Sequence, residues 1–259
     1  MSSIKPILTQ DQVNRLWLHQ QGLLSLADRP KLTSKRFVRL LDKVGALQVD
    51  SVNVVERAHY LTLYSRVGHY SKKQVDRGLY RDRQADEYWG HEASILPPSQ
   101  LPYSLRRMQR FPPPRWKNSS YWENYQTSRA SKLRVMRLIR EHGALESRDF
   151  DSTKTDANNK VILGWGSIIP KEDKRSLNLL WHAGKLAISG RTHFRKQFDL
   201  AEKIYDQSVP AASKTEYFDN WLAVGLSGNG VICDSHLANY FTAPSLDAKE
   251  RKLVWDRAH

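Results

Sequence analysis

Gln48 and Asp50 stand two residues apart in an otherwise apolar run, Leu47-Gln48-Val49-Asp50-Ser51-Val52-Asn53-Val54-Val55. In an extended segment successive side chains alternate faces. Leu47 and Val49 then point one way while Gln48 and Asp50 share the other, roughly 7 Å apart at Cα. An amide and a carboxylate so placed can grip one small target such as a water molecule. The competing reading is structural: Asp50 or Ser51 caps a helix over Ser51–Tyr64, and Gln48 is a satisfied edge residue.

A second dense polar and aromatic cluster is Glu87-Tyr88-Trp89-Gly90-His91-Glu92-Ala93-Ser94. His91-Glu92 does not open a zincin motif, because position 95 is Ile rather than His. The pair either fixes a loop against the core or lines the same cleft as Asp50. Tyr60, Tyr64, Arg66, His69 and Tyr70 form a similar mixture, most of whose aromatic rings are expected in the core.

Several chemistries are set aside. Gly225-Leu226-Ser227-Gly228-Asn229-Gly230 lacks both the Lys-Ser/Thr pair and the preceding strand of a phosphate-binding loop. Gly164-Trp165-Gly166-Ser167 only approaches a nucleophile elbow in composition. Cys233 is the only cysteine, so no intrachain disulfide or thiolate cluster is available, and no cysteine or histidine pair has metal spacing. Neither a metal nor a cofactor is expected. Without an apolar run of about 18 residues or a signal-peptide pattern at Met1–Pro6, the expected location is the cytoplasm.

The formal charge of +14 over 259 residues points to a polyanionic partner. Arg29–Lys43 carries six cations against Asp42, while Arg106–Lys117 and Arg129–Arg140 carry five each with no acid. With interleaved aromatics, as in Arg115-Trp116-Lys117 and Phe194-Arg195-Lys196, three such clusters favour nucleic acid over lipid. Backbone-contact candidates are Lys35, Arg36, Arg39, Arg106, Arg107, Arg110, Arg191, Arg195 and Lys196.

The elements that must position these residues follow from periodicity. Residues 9–24 read as a helix with Thr9 as N-cap and Val13, Leu16, Trp17 and Leu24 on one face. A second helix covers Thr33–Val44, with Phe37, Leu40, Leu41 and Val44 inward and Gly45 at its end. A strand over Ala46–Val49 follows, completing a helix-turn-helix that gains a strand or wing. The order recurs: a helix over Ala130–His142 stopped by Gly143, a short helix over Glu146–Phe150, and a polar loop over Asp151–Lys160. A helix over Glu172–Ala183, with Leu177, Leu180 and Trp181 inward, then ends at Gly184. A β-hairpin of Lys185–Ser189 and Thr192–Asp199 turns at Gly190-Arg191.

The expected fold is mainly α with small β-wings, in tandem winged helix-turn-helix units. The divisions are a first unit over 1–95 with the Gln48 and Asp50 motif, a loop-rich bridge over 96–129 stiffened by Pro97-Pro98 and Pro112-Pro113-Pro114, a second unit over 130–210, and a partial third over 211–259. Helices over Thr215–Leu226, Asp234–Phe241 and Ala248–His259 belong to the last.

Three longer motifs give the chain a resemblance. They are Gly45-x-Leu47-Gln48-Val49-Asp50-Ser51-Val52-Asn53-Val54-Val55-x-Arg57-Ala58-His59-Tyr60-Leu61, then Ser65-Arg66-x-Gly68-x-Tyr70, then Glu87-Tyr88-Trp89-x-His91-Glu92-Ala93. Together they resemble the winged-helix DNA glycosylases of the AlkZ and YcaQ (AlkX) type, densely over residues 10–110 and more loosely to about 245. The resemblance implies tandem winged helices around a C-terminal β-barrel, which this chain is expected to lack because it stops before the corresponding region. It implies a monofunctional glycosylase acting on double-stranded DNA that carries N7-alkylguanine, including interstrand crosslinks, with Gln48-Val49-Asp50 as the Gln-x-Asp form of the catalytic motif. Asn53, Arg57, His59, Tyr60, Arg66, His91 and Glu92 become candidates for lining its cleft. A monomer is expected. The alternative is a non-catalytic winged-helix DNA-binding protein or an inactive truncated relative, which composition and architecture fit equally well.

Overall fold

Helix ends are where the local sequence acts most directly. In the computed structural model, Thr9 caps the Gln10–Gln20 helix through a reciprocal box with Gln12, and Thr33 accepts from the Arg36 amide to cap Ser34–Val44. Gly45, Gly143 and Gly184, at φ 78°, 80° and 65°, follow helix ends that a side chain would strain. The structure describes residues 7–24, 31–90, 92–150, 153–155, 161–163, 171–233, 236 and 248–258. The expected Asp234–Phe241 helix and most of the 151–160 loop lie outside them.

The order of elements is a repeated one. Helix Ser34–Val44, strand Leu47–Gln48, helices Ala58–Val67 and Lys72–Tyr80, and strands Asp86–Trp89 and Ala93–Leu96 run through the first part. Helix Arg129–His142, strand Leu145–Glu146, a 3-10 turn over Ser147–Phe150, helix Lys171–His182, and strands Leu186–Thr192 and Arg195–Leu200 run through the second. This winged-helix-like order places the first short strand between helices. Of the two alternatives the sequence order leaves, a strand or a wing, the extended segment at Leu47 is the strand.

Two compact units result. One comprises 1–85, 89–100 and 213–259; the other comprises 86–88 and 101–212. The boundaries drawn from sequence separate 211–259 from the first unit, whereas the structure groups them. The reason is apolar. Phe218, Trp221, Leu222 and Val224 on the Lys214–Asn229 helix pack with Val254, and Ala46 closes against that cluster. The Gln10–Gln20 helix joins through polar contacts, with Trp17 Nε1 donating to Val231 O and Gln21 Nε2 to Gly228 O, both at 2.5 Å. It contains no fully buried residue: Val13, Leu16 and Trp17 are half-buried on the face expected for them, whereas Leu24, beyond the helix end, is exposed.

The main core of the first unit gathers Phe37, Leu41, Leu47, Leu63, Val67, Val75, Leu79 and Ile95. In the second, Phe150, Leu177, Trp181, Leu186 and Phe198 are buried. Helices Arg129–His142 and Lys171–His182 are locked by a buried polar knot there. Ser131 Oγ donates to Asp173 at 2.5 Å, and Arg134 forks onto the same carboxylate at 2.6 and 2.7 Å.

Two expectations are corrected here. The 96–129 bridge is largely helical, over Leu101–Gln109, Pro114–Lys117 and Ser120–Tyr125, because Leu101, Ser104 and Met108 form a buried stripe on the first of these. The hairpin turns at His193-Phe194, both at positive φ (48° and 70°), and not at Gly190-Arg191. Gly190 instead sits at a register shift, where a Cβ would lie 2.7 Å from Gln197 Oε1. Arg191 holds the unusual turn by donating to Phe194 O at 2.6 Å and stacking over its ring.

Candidate active site

Leu47–Gln48 is an edge strand, paired antiparallel with Ala93–Leu96 in the register Leu47–Ile95 and Gln48–Ser94. The ladder continues one residue further, with the Val49 amide donating to Ala93 O at 2.7 Å. Leu47 is buried and Val49 packs against the same core. Gln48 is exposed and Asp50 half-buried. The alternation expected from the sequence is thus realised: apolar anchors fix one face of the strand and the two polar groups occupy the other.

Asp50 Oδ1 accepts from the Val52 amide at 2.9 Å, an Asx-type turn that fixes the carboxyl group's rotamer. Its other oxygen, and the Gln48 amide, have no partner among the described residues. Asp50 therefore caps a turn rather than a helix; the next helix begins at Ala58. What stands ready is one oriented carboxylate oxygen and one amide on an open surface. That pair can hold a water and face a cation.

Behind the strand a polar network fixes the segment after Asp50. Arg57 Nη1 donates to Ser51 O at 2.8 Å, the Arg57 amide donates to Glu56 Oε1 at 3.0 Å, and Lys72 pairs with Glu56 at 2.5 Å. The hydrogen bond from Lys72 holds the Glu56 carboxyl below its ordinary range. Tyr60 donates to Asp76 at 2.5 Å, and Tyr70 donates to Tyr60 O at 2.7 Å. Burial pushes both phenols well above their usual range, followed for Tyr60 by the Asp76 hydrogen bond, so they act as fixed donors.

The cleft candidates divide accordingly. Asn53 and Glu92 are exposed; His59 is buried with its ring 4.1 Å from that of Tyr60. Arg66 is engaged with Gln21 Oε1 at 2.7 Å and Thr62 O at 3.0 Å, and His91 lies outside the described residues. Sequence reasoning missed the brace formed by Glu56, Lys72 and Asp76, which is spread from position 56 to position 76 and has no fixed spacing to reveal it. It also missed that Val52, Val54 and Val55 face outward.

The backbone-contact candidates divide too. Lys35, Arg39 and Arg110 are exposed, and Arg36 is half-buried. Arg106 donates to Ala212 O at 3.1 Å, Arg107 lies over the Tyr88 ring, and Arg195 pairs with Glu146 at 2.8 Å. Arg191 and Lys196 turn inward, the first forked onto Glu87 and the second 4.0 Å over the Trp181 ring. Burial, then the neighbouring Arg191 charge, lowers the Lys196 amine to about 8. These wing cations serve the fold of their own unit.

The family model described as DNA glycosylase AlkZ-like matches residues 41–257, a span that contains the Gln48 and Asp50 strand and most of both units. The chain belongs to the AlkZ-like DNA glycosylase family. Among solved structures, it is similar to the Streptomyces sahachiroi DNA glycosylase AlkZ, with a TM-score of 0.60 and 13% sequence identity over 97% of this chain. The chain spans 66% of the length of that structure. The likeness is one of fold: mainly helical, with small antiparallel sheets and no barrel among the described residues. For this AlkZ-like chain, no described helix is long and apolar enough to cross a membrane.

Proposed function

We propose that the chain is a monofunctional DNA glycosylase that hydrolyses the N-glycosidic bond of N7-alkylguanine, including guanines tethered in interstrand crosslinks. The observation that carries this reading is the open polar face of the edge strand, where Asp50 and Gln48 stand with unspent acceptors while Leu47 and Val49 are seated in the core. Membership of the AlkZ-like family supports the reaction class.

An N7-alkylated guanine is already cationic and leaves without much help from a general acid. The demand falls on the sugar, where C1′ gains oxocarbenium character as the bond breaks. A carboxylate close to C1′ stabilises that charge. Asp50 does this with one oxygen and directs water to C1′, while the Gln48 carbonyl holds the same water in line. Water is the nucleophile, so no lysine adduct forms and the sugar-phosphate strand stays intact. A crosslinked base cannot swing out of the duplex, and an exposed edge strand suits a site that reaches the sugar from outside.

The test is release of N7-methylguanine from alkylated duplex DNA, and unhooking of a nitrogen-mustard crosslink, by wild type and by Asp50→Asn. Wild type should release base, and the variant should be slower by roughly 100-fold or more. Equal background release by both would leave a DNA-binding protein without this activity.

A further inference from the structure

The segment 51–57 leads from Asp50 to the Ala58–Val67 helix, and its apolar side chains are presented outward. Val52 is 61% exposed, Val54 90% and Val55 86%. Three valines on one short loop form an apolar patch that the fold itself leaves uncovered. The loop is nevertheless held. Asp50 Oδ1 takes the Val52 amide, Arg57 takes Ser51 O, and Glu56 is tied to Lys72 at its far end. The polar groups at the root are spent on fixing its course, and β-branched side chains with few rotamers are what remain outside.

We propose that Val52, Val54 and Val55 form an apolar wedge that enters the minor groove of duplex DNA beside the nucleotide whose C1′ faces Asp50. This rests on the glycosylase reading above. The sugar C1′ atoms of a duplex border its minor groove, so a carboxylate that reaches C1′ without extruding the base approaches through that groove. A loop that begins at Asp50, and is hydrogen-bonded to it, enters with it. Minor-groove proteins use apolar side chains at such places to part base steps and open the groove. Residues 51–55 themselves contain no acid, and the flanking Asp50 and Glu56 are offset by Arg57 and by Lys72, which pairs with Glu56, so the loop presents no net negative charge to the flanking phosphates. The valine methyls also displace water around the sugar, leaving the molecule held by Gln48 as the one in line.

The experiment uses a duplex carrying N7-methylguanine with 2-aminopurine on its 3′ side, and three proteins: wild type, V54S/V55S and V54I/V55I. Wild type and V54I/V55I should brighten the 2-aminopurine on binding as the step unstacks. V54S/V55S should lose that rise, and its ratio of duplex to single-strand excision rate should fall about tenfold, a barrier change of one decade. Brightening by V54S/V55S equal to wild type, with an unchanged rate ratio, overturns the wedge. So does a change in sedimentation mass of V54S/V55S with brightening retained, which would assign the valines to contact with a second copy of the chain. If wild type releases no base, the glycosylase reading fails separately. The wedge is then decided by fluorescence alone: brightening in wild type that V54S/V55S loses supports it, and no brightening in wild type overturns it.

Discussion

Arg191 donates two parallel hydrogen bonds, at 2.7 and 2.6 Å, to the two carboxylate oxygens of Glu87, with side chains only 10% and 2% exposed. A cation on a hairpin of a basic protein reads as a phosphate contact, yet this one is consumed by its own unit. Removing either partner alone leaves the other's charge buried and only partly compensated, Arg191 by Phe194 O and Glu87 by the neighbouring Lys196. Arg191→Met and Glu87→Gln should each lower unfolding stability by roughly 3–5 kcal/mol, and the double variant by less than the sum. Urea titrations of the four proteins measure this. Additive losses would show that the pair is not coupled.

Salt dependence separates the cations that remain available. Lys35 and Arg39 are exposed on the Ser34–Val44 helix and have no ion-pair partner among the described residues. Lys35→Ala and Arg39→Ala should each flatten the dependence of log affinity on log salt for duplex DNA by about one unit, and weaken binding without regard to sequence. Lys196→Ala, removing a side chain seated over Trp181, should lower stability and leave the salt slope as it was. A flattened slope for Lys196→Ala and an unchanged one for Arg39→Ala would reverse this assignment.

Local signals carried most of the helices. A threonine before an amphipathic stripe and a glycine after it have one dominant physical use, so Thr33, Gly45 and Gly143 mark real ends. The alternation of Leu47, Gln48, Val49 and Asp50 is legible for the same reason, since an extended strand turns the first and third toward the core and the second and fourth away from it. Gly190 misled because glycine serves two purposes. Its type and position suggest a turn, whereas its missing Cβ makes room for Gln197, and contacts from Arg191 sustain positive φ at Phe194. The grouping of 213–259 with the first unit depends on long-range apolar packing, which periodicity along the chain does not encode. The valine loop was hidden for a further reason: a hydrophobic run predicts burial, and only tertiary structure reveals a face turned to solvent.

Gly184 and Gly143 offer a paired test of what glycine does after a helix. Both have positive φ, at 65° and 80°. A Cβ at Gly143 would meet nothing within 4 Å, whereas one at Gly184 would lie 2.6 Å from Met108 Sδ and 2.8 Å from its Cβ. Gly143→Ala should cost only the backbone penalty of a φ 80°, ψ −154° conformation that is essentially glycine's alone, roughly 1–3 kcal/mol. Gly184→Ala adds overpacking and should cost roughly 2–4 kcal/mol. In chemical denaturation, a Gly184→Ala loss that is unchanged in a Met108→Ala background would mean that Met108 yields without strain.

Acid sensitivity of the second unit should trace to His182. Burial, then the Lys196 and Arg107 charges, lowers its imidazole to about 4, and the ring stacks on Phe111 with 5.2 Å between centroids. The folded state thus keeps it neutral where the unfolded chain, titrating near 6.5, binds a proton. Wherever the unfolded state binds more protons, stability rises with pH, so this group's contribution is present above 6.5 and is lost as pH falls toward 4. Full development of the loss corresponds to roughly 3 kcal/mol. His182→Phe, which keeps a stacking ring and removes the titration, should show a shallower decline in thermal midpoint between pH 6.5 and 4 than wild type. Parallel declines would place the acid sensitivity in other groups.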